Sequence, residues 1–192
     1  MTSRLAASLA LTVFLYPVMT EARGAPQAKA VAGRVVNALT VGKKAPEIAG
    51  ADLDGRPMRL TDFQGRVVLL VFSGDWCGIC RSEYPYERFL QELYRNWPFA
   101  IVSVNSDPDV ASAKRAMAAN GLMFRSWWDG AASASGTIAT AWGVDGWPTT
   151  YLIDANGTIR FVDLRSEDLL KGVKQLLAEM PAGRGRPGTP QN

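Results

Sequence analysis

Histidine is absent from the 192 residues, and cysteine occurs only twice. Without an imidazole there is no histidine acid–base catalysis, no Cys/His zinc site and no histidine-ligated copper or haem. Arg81 stands where a Cys-x-x-Cys-His attachment would need its histidine, so covalent haem is excluded too. Charge of one sign is also lacking. The 21 Lys and Arg against 18 Asp and Glu leave a net +3, scattered along the chain without an aromatic-interleaved basic stripe, which argues against nucleic-acid binding. The apolar stretch at residues 5–19 has 15 residues with Pro17 near its end, short of the roughly 20 that a membrane-spanning helix needs.

That stretch reads instead as an export signal. Arg4 supplies a positive start, and Ala22-Arg23-Gly24 offers a cleavage site before Ala25, giving a signal over 1–24. A retained membrane anchor is the alternative. Residues 25–41 are small and polar and read as a linker, and 182–192 are Gly/Pro-rich and read as a disordered tail. Between them, residues 42–181 form one domain, since a chain that is 47% hydrophobic can bury its own core. Export to a periplasmic or other extracytoplasmic space is where a disulfide can persist.

Both cysteines fall in Cys77-Gly78-Ile79-Cys80, directly after Trp76. Three residues apart on one helical turn, the sulfurs lie near enough to bridge with little backbone movement. Such a bridge closes a four-residue loop and stabilises by only about 2 kcal/mol in the chain-entropy model, so the spacing favours redox chemistry over a structural staple. Two reduced core cysteines are the bland alternative.

The surrounding pattern alternates strands and helices. Val67–Phe72 is a continuous apolar run, the mark of a strand buried on both faces. Residues 78–95 read as a helix kinked by Pro85, 99–104 as a second buried strand, 109–119 as a second helix and 133–142 as a short inserted helix. Thr149–Ile153 and Thr158–Val162 are strands joined by Asp154-Ala-Asn-Gly157, a hairpin signal, and Glu167–Glu179 is a closing amphipathic helix. Asp54-Gly55 marks a further N-terminal hairpin within 48–60. The order predicts an α/β fold with a central mixed sheet flanked by helices on both faces.

Phe72-Ser-Gly-Asp-Trp-Cys-Gly-Ile-Cys80, followed by Gly146-Trp-Pro-Thr-Thr-Tyr-Leu-Ile-Asp154, resembles the thioredoxin superfamily. Val41-Gly-Lys-Lys-Ala-Pro46 and Leu60-Thr-Asp-Phe-Gln-Gly65 are similar to its exported TlpA/ResA-like branch and redoxin relatives. The likeness covers about 140 residues and implies a thioredoxin-like fold with no cofactor and no metal. It implies that Cys77, at a helix start where free N–H groups and the dipole favour a thiolate, is the exposed attacking sulfur. Cys80, one turn inward, is then the resolving thiol. Pro148 matches the cis-proline beside the disulfide, and Trp76, Trp147 and Thr149 fall at positions that face a substrate. Glu83, three residues after Cys80, matches a glutamate through which members of this branch relay the proton of the second cysteine. A solvated first-turn glutamate is the alternative. The acid that ordinary thioredoxins carry six residues before the first cysteine is Val71 here, and the proline usual before the second is Ile79.

The implied activity is exchange with partner protein thiols and disulfides by an exported monomer, with cytochrome c maturation as one pathway. The redox partner itself is not legible. A peroxiredoxin-type peroxidase is disfavoured, because Gly74 stands where that class has threonine. A non-catalytic thioredoxin-like binding or metallochaperone domain is disfavoured by the missing histidine.

Overall fold

In the computed structural model, residues 29–30, 39–131 and 136–181 are described. The chain threads strands Lys29–Ala30 (β1), Ile48–Ala51 (β2) and Pro57–Arg59 (β3), a 3-10 turn at Leu60–Phe63, strand Val67–Ser73 (β4) and helix Gly78–Leu93 (α1). Strand Phe99–Asn105 (β5), helix Val110–Ala119 (α2), strand Arg125–Trp128 (β6) and helix Thr137–Ala141 (α3) follow. Strands Thr149–Ile153 (β7) and Ile159–Val162 (β8) and helix Ser166–Glu179 (α4) complete it. The main sheet runs β6-β5-β4-β7-β8, with β4, β5 and β6 parallel and β7 and β8 antiparallel to their neighbours. This is the expected mixed sheet.

The central strand explains the architecture. All seven residues of β4 are buried, so alternate side chains feed two separate cores. Val68, Leu70 and Phe72 pack with Val102, Val104, Trp127, Trp142 and Tyr151 on one face. Val67, Leu69 and Val71 pack with Leu90, Ile101, Leu169 and Val173 on the other, beneath α1 and α4. The first face is covered by the N-terminal hairpin and the short α3, with Ile48, Met58, Ile138 and Ala139 in its core. That face is thus closed largely by a small sheet rather than by long helices.

Several elements differ from the sequence reading. β6 was not expected, because its four residues begin with the polar pair Arg125-Ser126 and carry no alternation long enough to register. It is pinned by Asp52, whose Oδ2 accepts from Arg125 Nε at 2.7 Å while its Oδ1 accepts the N–H groups of Asp54 and Arg56 in the hairpin turn. β1 lies inside the stretch expected as linker and pairs antiparallel with β2. Leu39, also in that stretch, joins the core. The helix expected over 78–95 forms as α1 and continues past Pro85, which sits on its exposed side, to end at Leu93. The inserted helix is Thr137–Ala141, the start of its expected range lying outside the described residues. The expected signal (1–24) and tail (182–192) also lie outside them.

Candidate active site

β4 delivers the chain to the Cys77 turn, and its pairing with β7 delivers Pro148. Phe72 pairs with Thr149, which sets the Trp147–Pro148 peptide against the cysteines, and that peptide is cis. Gly74 permits the turn. A Cβ there would collide with Trp76 Nε1 and meet Ser106 Oγ at 3.0 Å. Trp76 donates its indole N–H to the Ser106 carbonyl at 3.1 Å and packs edge-on against Trp147 with ring centroids 5.7 Å apart.

Cys77 is the residue that caps α1. Its backbone is extended, and its sulfur accepts the Cys80 N–H at 3.2 Å, the contact an N-cap oxygen makes in most helices. The Cys77 thiol in turn donates to the Trp147 carbonyl at 3.5 Å. Both thiols are free. Their burial corrects the picture of an openly exposed attacker, for Cys77 is only 7% exposed and Cys80 1%. What stands in solvent is their apolar surround, Trp76 at 49% and Ile79 at 65%. Burial, reinforced by the adjoining Cys77 sulfur, pushes the Cys80 thiol up to about 12.

Of the other expected residues, Trp147 is half-buried against the cysteines, while Pro148 and Thr149 are buried. The Thr149 hydroxyl is spent locally on the Gly146 carbonyl at 2.8 Å. Glu83 is buried, not solvated. It accepts the Ser166 N–H at 2.8 Å and the Ser166 hydroxyl at 3.0 Å. The turn before α4 is built for this contact. Asp163 and Ser166 adopt left-handed φ of 57° and 47°, a conformation costing about 1 kcal/mol per residue that carries a Cβ. The same turn aims Arg165 at the Pro148 carbonyl and, at 3.0 Å, at the Thr150 hydroxyl.

One residue was missed by the sequence reading. Glu87 is 3% exposed, one turn beyond Glu83. Burial, and next the Glu83 charge, push its carboxyl up to about 8, against the opposing pull of Arg165 and Arg88. The spacing of 80, 84, 87 and 90 along the helix was the available signal, since it puts Glu87 on the inward stripe.

The Redoxin family model matches residues 40–177. The chain belongs to the Redoxin family. It is similar to thiol-disulfide oxidoreductase ResA of Geobacillus thermodenitrificans, 36% identical over 123 residues, which cover 64% of this chain and 68% of that protein. ResA of Bacillus thuringiensis is 29% identical over 142 residues, covering 74% and 79%. Among solved structures, the thioredoxin domain of a thiol-disulfide oxidoreductase from Bacteroides vulgatus superposes with a TM-score of 0.66 at 28% identity, covering 73% of this chain and 99% of that one. The protein is therefore a TlpA/ResA-like member of the thioredoxin superfamily and a thiol–disulfide oxidoreductase, with protein thiols and disulfides as its substrate class.

Because Cys80 holds its proton far above neutral pH, brief alkylation of the native dithiol at about pH 8 should label Cys77 and spare Cys80. Peptide mass spectrometry checks this, and equal labelling would contradict the asymmetry.

Proposed function

We propose that Cys77 attacks partner disulfides and that Cys80 resolves the mixed disulfide, reducing proteins outside the cytoplasm. The reading is carried by the Cys77 sulfur lying at the helix N-terminus against the Trp147 carbonyl, with Cys80 one turn behind it. The Cys77 thiolate attacks one partner sulfur, forms a Cys77–partner bond and releases the other partner sulfur as thiolate. Cys80 then gives up its proton and attacks the Cys77 sulfur. The Cys77–Cys80 bond forms, the second partner thiolate leaves, and two electrons have passed from the dithiol to the partner.

Trp76, Trp147, Pro148 and Thr149 form the partner-facing side in this proposal. Ile79 adds an exposed apolar contact between the cysteines, where the superfamily usually has proline. Glu83 assists proton handling at Cys80 through its buried carboxyl. No cofactor or metal is required by the steps above, and the protein acts as a monomer. Cytochrome c maturation is a pathway in which such a reductant serves, and the apolar segment at 5–19 would deliver the chain across the membrane.

Two outcomes follow. Cys80→Ala should accumulate covalent partner complexes through Cys77, at least about ten-fold more than Cys77→Ala, on non-reducing gels whose bands also identify the partner. Equal trapping by the two variants contradicts the assignment of roles. Mass spectrometry of the exported protein should find its N-terminus between Arg23 and Val31, with Ala25 the foremost position. An intact Met1 in a cytosolic fraction would overturn export.

A further inference from the structure

Resolution requires the Cys80 proton to go somewhere, and Cys80 is sealed from solvent. Glu83, the carboxyl expected to assist there, is held toward the start of α4, one oxygen accepting the N–H and the other the hydroxyl of Ser166. A different outlet begins at Ser73, the last residue of β4, whose side chain opposes the rise that burial gives both the Cys80 thiol and the Tyr84 phenol. Ser73 and Tyr84 also line an internal cavity between α1, β4, β5 and α2, whose other polar walls are Ser103, Asn105, Asp107 and Glu87. The space open to the centre of a water molecule there is about 10 Å³, room for roughly one water.

Glu87 stands on this cavity, seven residues and two turns along the same buried stripe as Cys80. The ionisable groups around it are Glu83, Tyr84 and Arg88 on its own helix, Arg165 from the turn before α4, and Asp107 after β5. The walls supplied by β4 and α2, Val71, Ser73, Ala116 and Met117, carry none. Asp107 is already committed, accepting the Asp75 N–H at 2.7 Å and the Asn105 side-chain amide at 2.9 Å. Tyr84 is pushed up by burial and stays neutral, so it can pass a proton but not keep one. Glu87 is the remaining carboxyl on the cavity.

We propose that Glu87 is the proton acceptor for Cys80, reached through the Ser73 hydroxyl and the internal cavity. The proposal rests on the exchange reaction set out above and adds the proton's path to it. As the Cys80 sulfur attacks the Cys77 sulfur, the Cys80 proton moves by way of Ser73 to the Glu87 carboxylate. The electron pair stays on Cys80 and forms the new S–S bond, and the partner thiolate departs. When the disulfide is reduced again, Glu87 returns that proton to the Cys80 leaving group. Glu83, anchored by Ser166, contributes the neighbouring negative charge that makes Glu87 the better proton holder.

An aromatic disulfide such as 5,5′-dithiobis(2-nitrobenzoate) separates the two chemical steps, because attack by Cys77 releases the first coloured thiolate and attack by Cys80 the second. Rapid mixing across pH 6–10 should show the second phase of the native dithiol accelerating through the Glu87 titration near pH 8. In Glu87→Gln that inflection should vanish and the second phase should slow by at least about ten-fold at pH 8.5, with the first phase unchanged. A second phase with the same rate and pH profile in the variant overturns the proposal while leaving the exchange reaction standing. Failure of the native protein to release a second thiolate overturns both.

Folding is checked with the same variant. A carboxyl raised from 4.5 to about 8 stabilises the fold fully below 4.5 and loses that contribution as pH rises to about 8. Glu87→Gln should therefore melt higher than the native protein at about pH 9 and close to it at about pH 5. A melting difference independent of pH counts against titration of Glu87, and so against the proposal.

Discussion

Everything at the site depends on the Cys77 sulfur serving as the N-cap of α1. A helix start has backbone N–H groups with no intrahelical partner, and here the Cys80 N–H finds one in that sulfur. The contact places the reactive atom at the positive end of the helix dipole and turns Cys80 inward on the next turn. It also fixes what must surround it. Gly74 has to lack a side chain so that Trp76 can fold back, and the β4–β7 register has to bring the Trp147 carbonyl to the sulfur. Moving β7 by one residue would invert its faces and remove Pro148 from the site.

The inward turn has an electrostatic consequence. Burial that shields Cys80 also disfavours its thiolate, so Cys80 must shed its proton to act as a nucleophile. α1 also carries two carboxyls, Glu83 and Glu87, on its buried face, where an ionisable group is rare. Glu83 is matched by Ser166 and held by a turn with two left-handed non-glycine residues, a local cost borne for a specific contact. Glu87 sits without such an anchor on the polar cavity.

The fold was legible where the chain commits both faces of a strand or repeats a period. Val67–Phe72 carries the mark of an interior strand, and Asp154–Gly157 between two β-rich runs is a hairpin signal. β6 was hidden because four residues starting with Arg125 show no period, and its place is decided by Asp52 and by Trp127 in a distant core. β1 was hidden because a two-residue strand exists only through its partner β2. At the site, the cysteines, Trp76 and Pro148 were recognisable from a spaced motif. Glu87 was not, because a glutamate in a helix reads as surface until the 80, 84, 87, 90 stripe is traced. Neither the use of Thr149 within its own turn nor the clamp of Arg165 on the Pro148 carbonyl has a local signal, since both are tertiary contacts.

The kinship with ResA-type oxidoreductases and the geometry around Cys77 converge on one claim, that this pair moves electrons between thiols and disulfides of proteins. The most direct measurement is reduction of insulin disulfides by the purified protein with dithiothreitol as electron source, run beside hydrogen peroxide consumption. The account predicts catalysed insulin reduction that is lost in Cys77→Ala, with no peroxide turnover above that of free thiols. Rapid peroxide consumption with insulin left intact would contradict it.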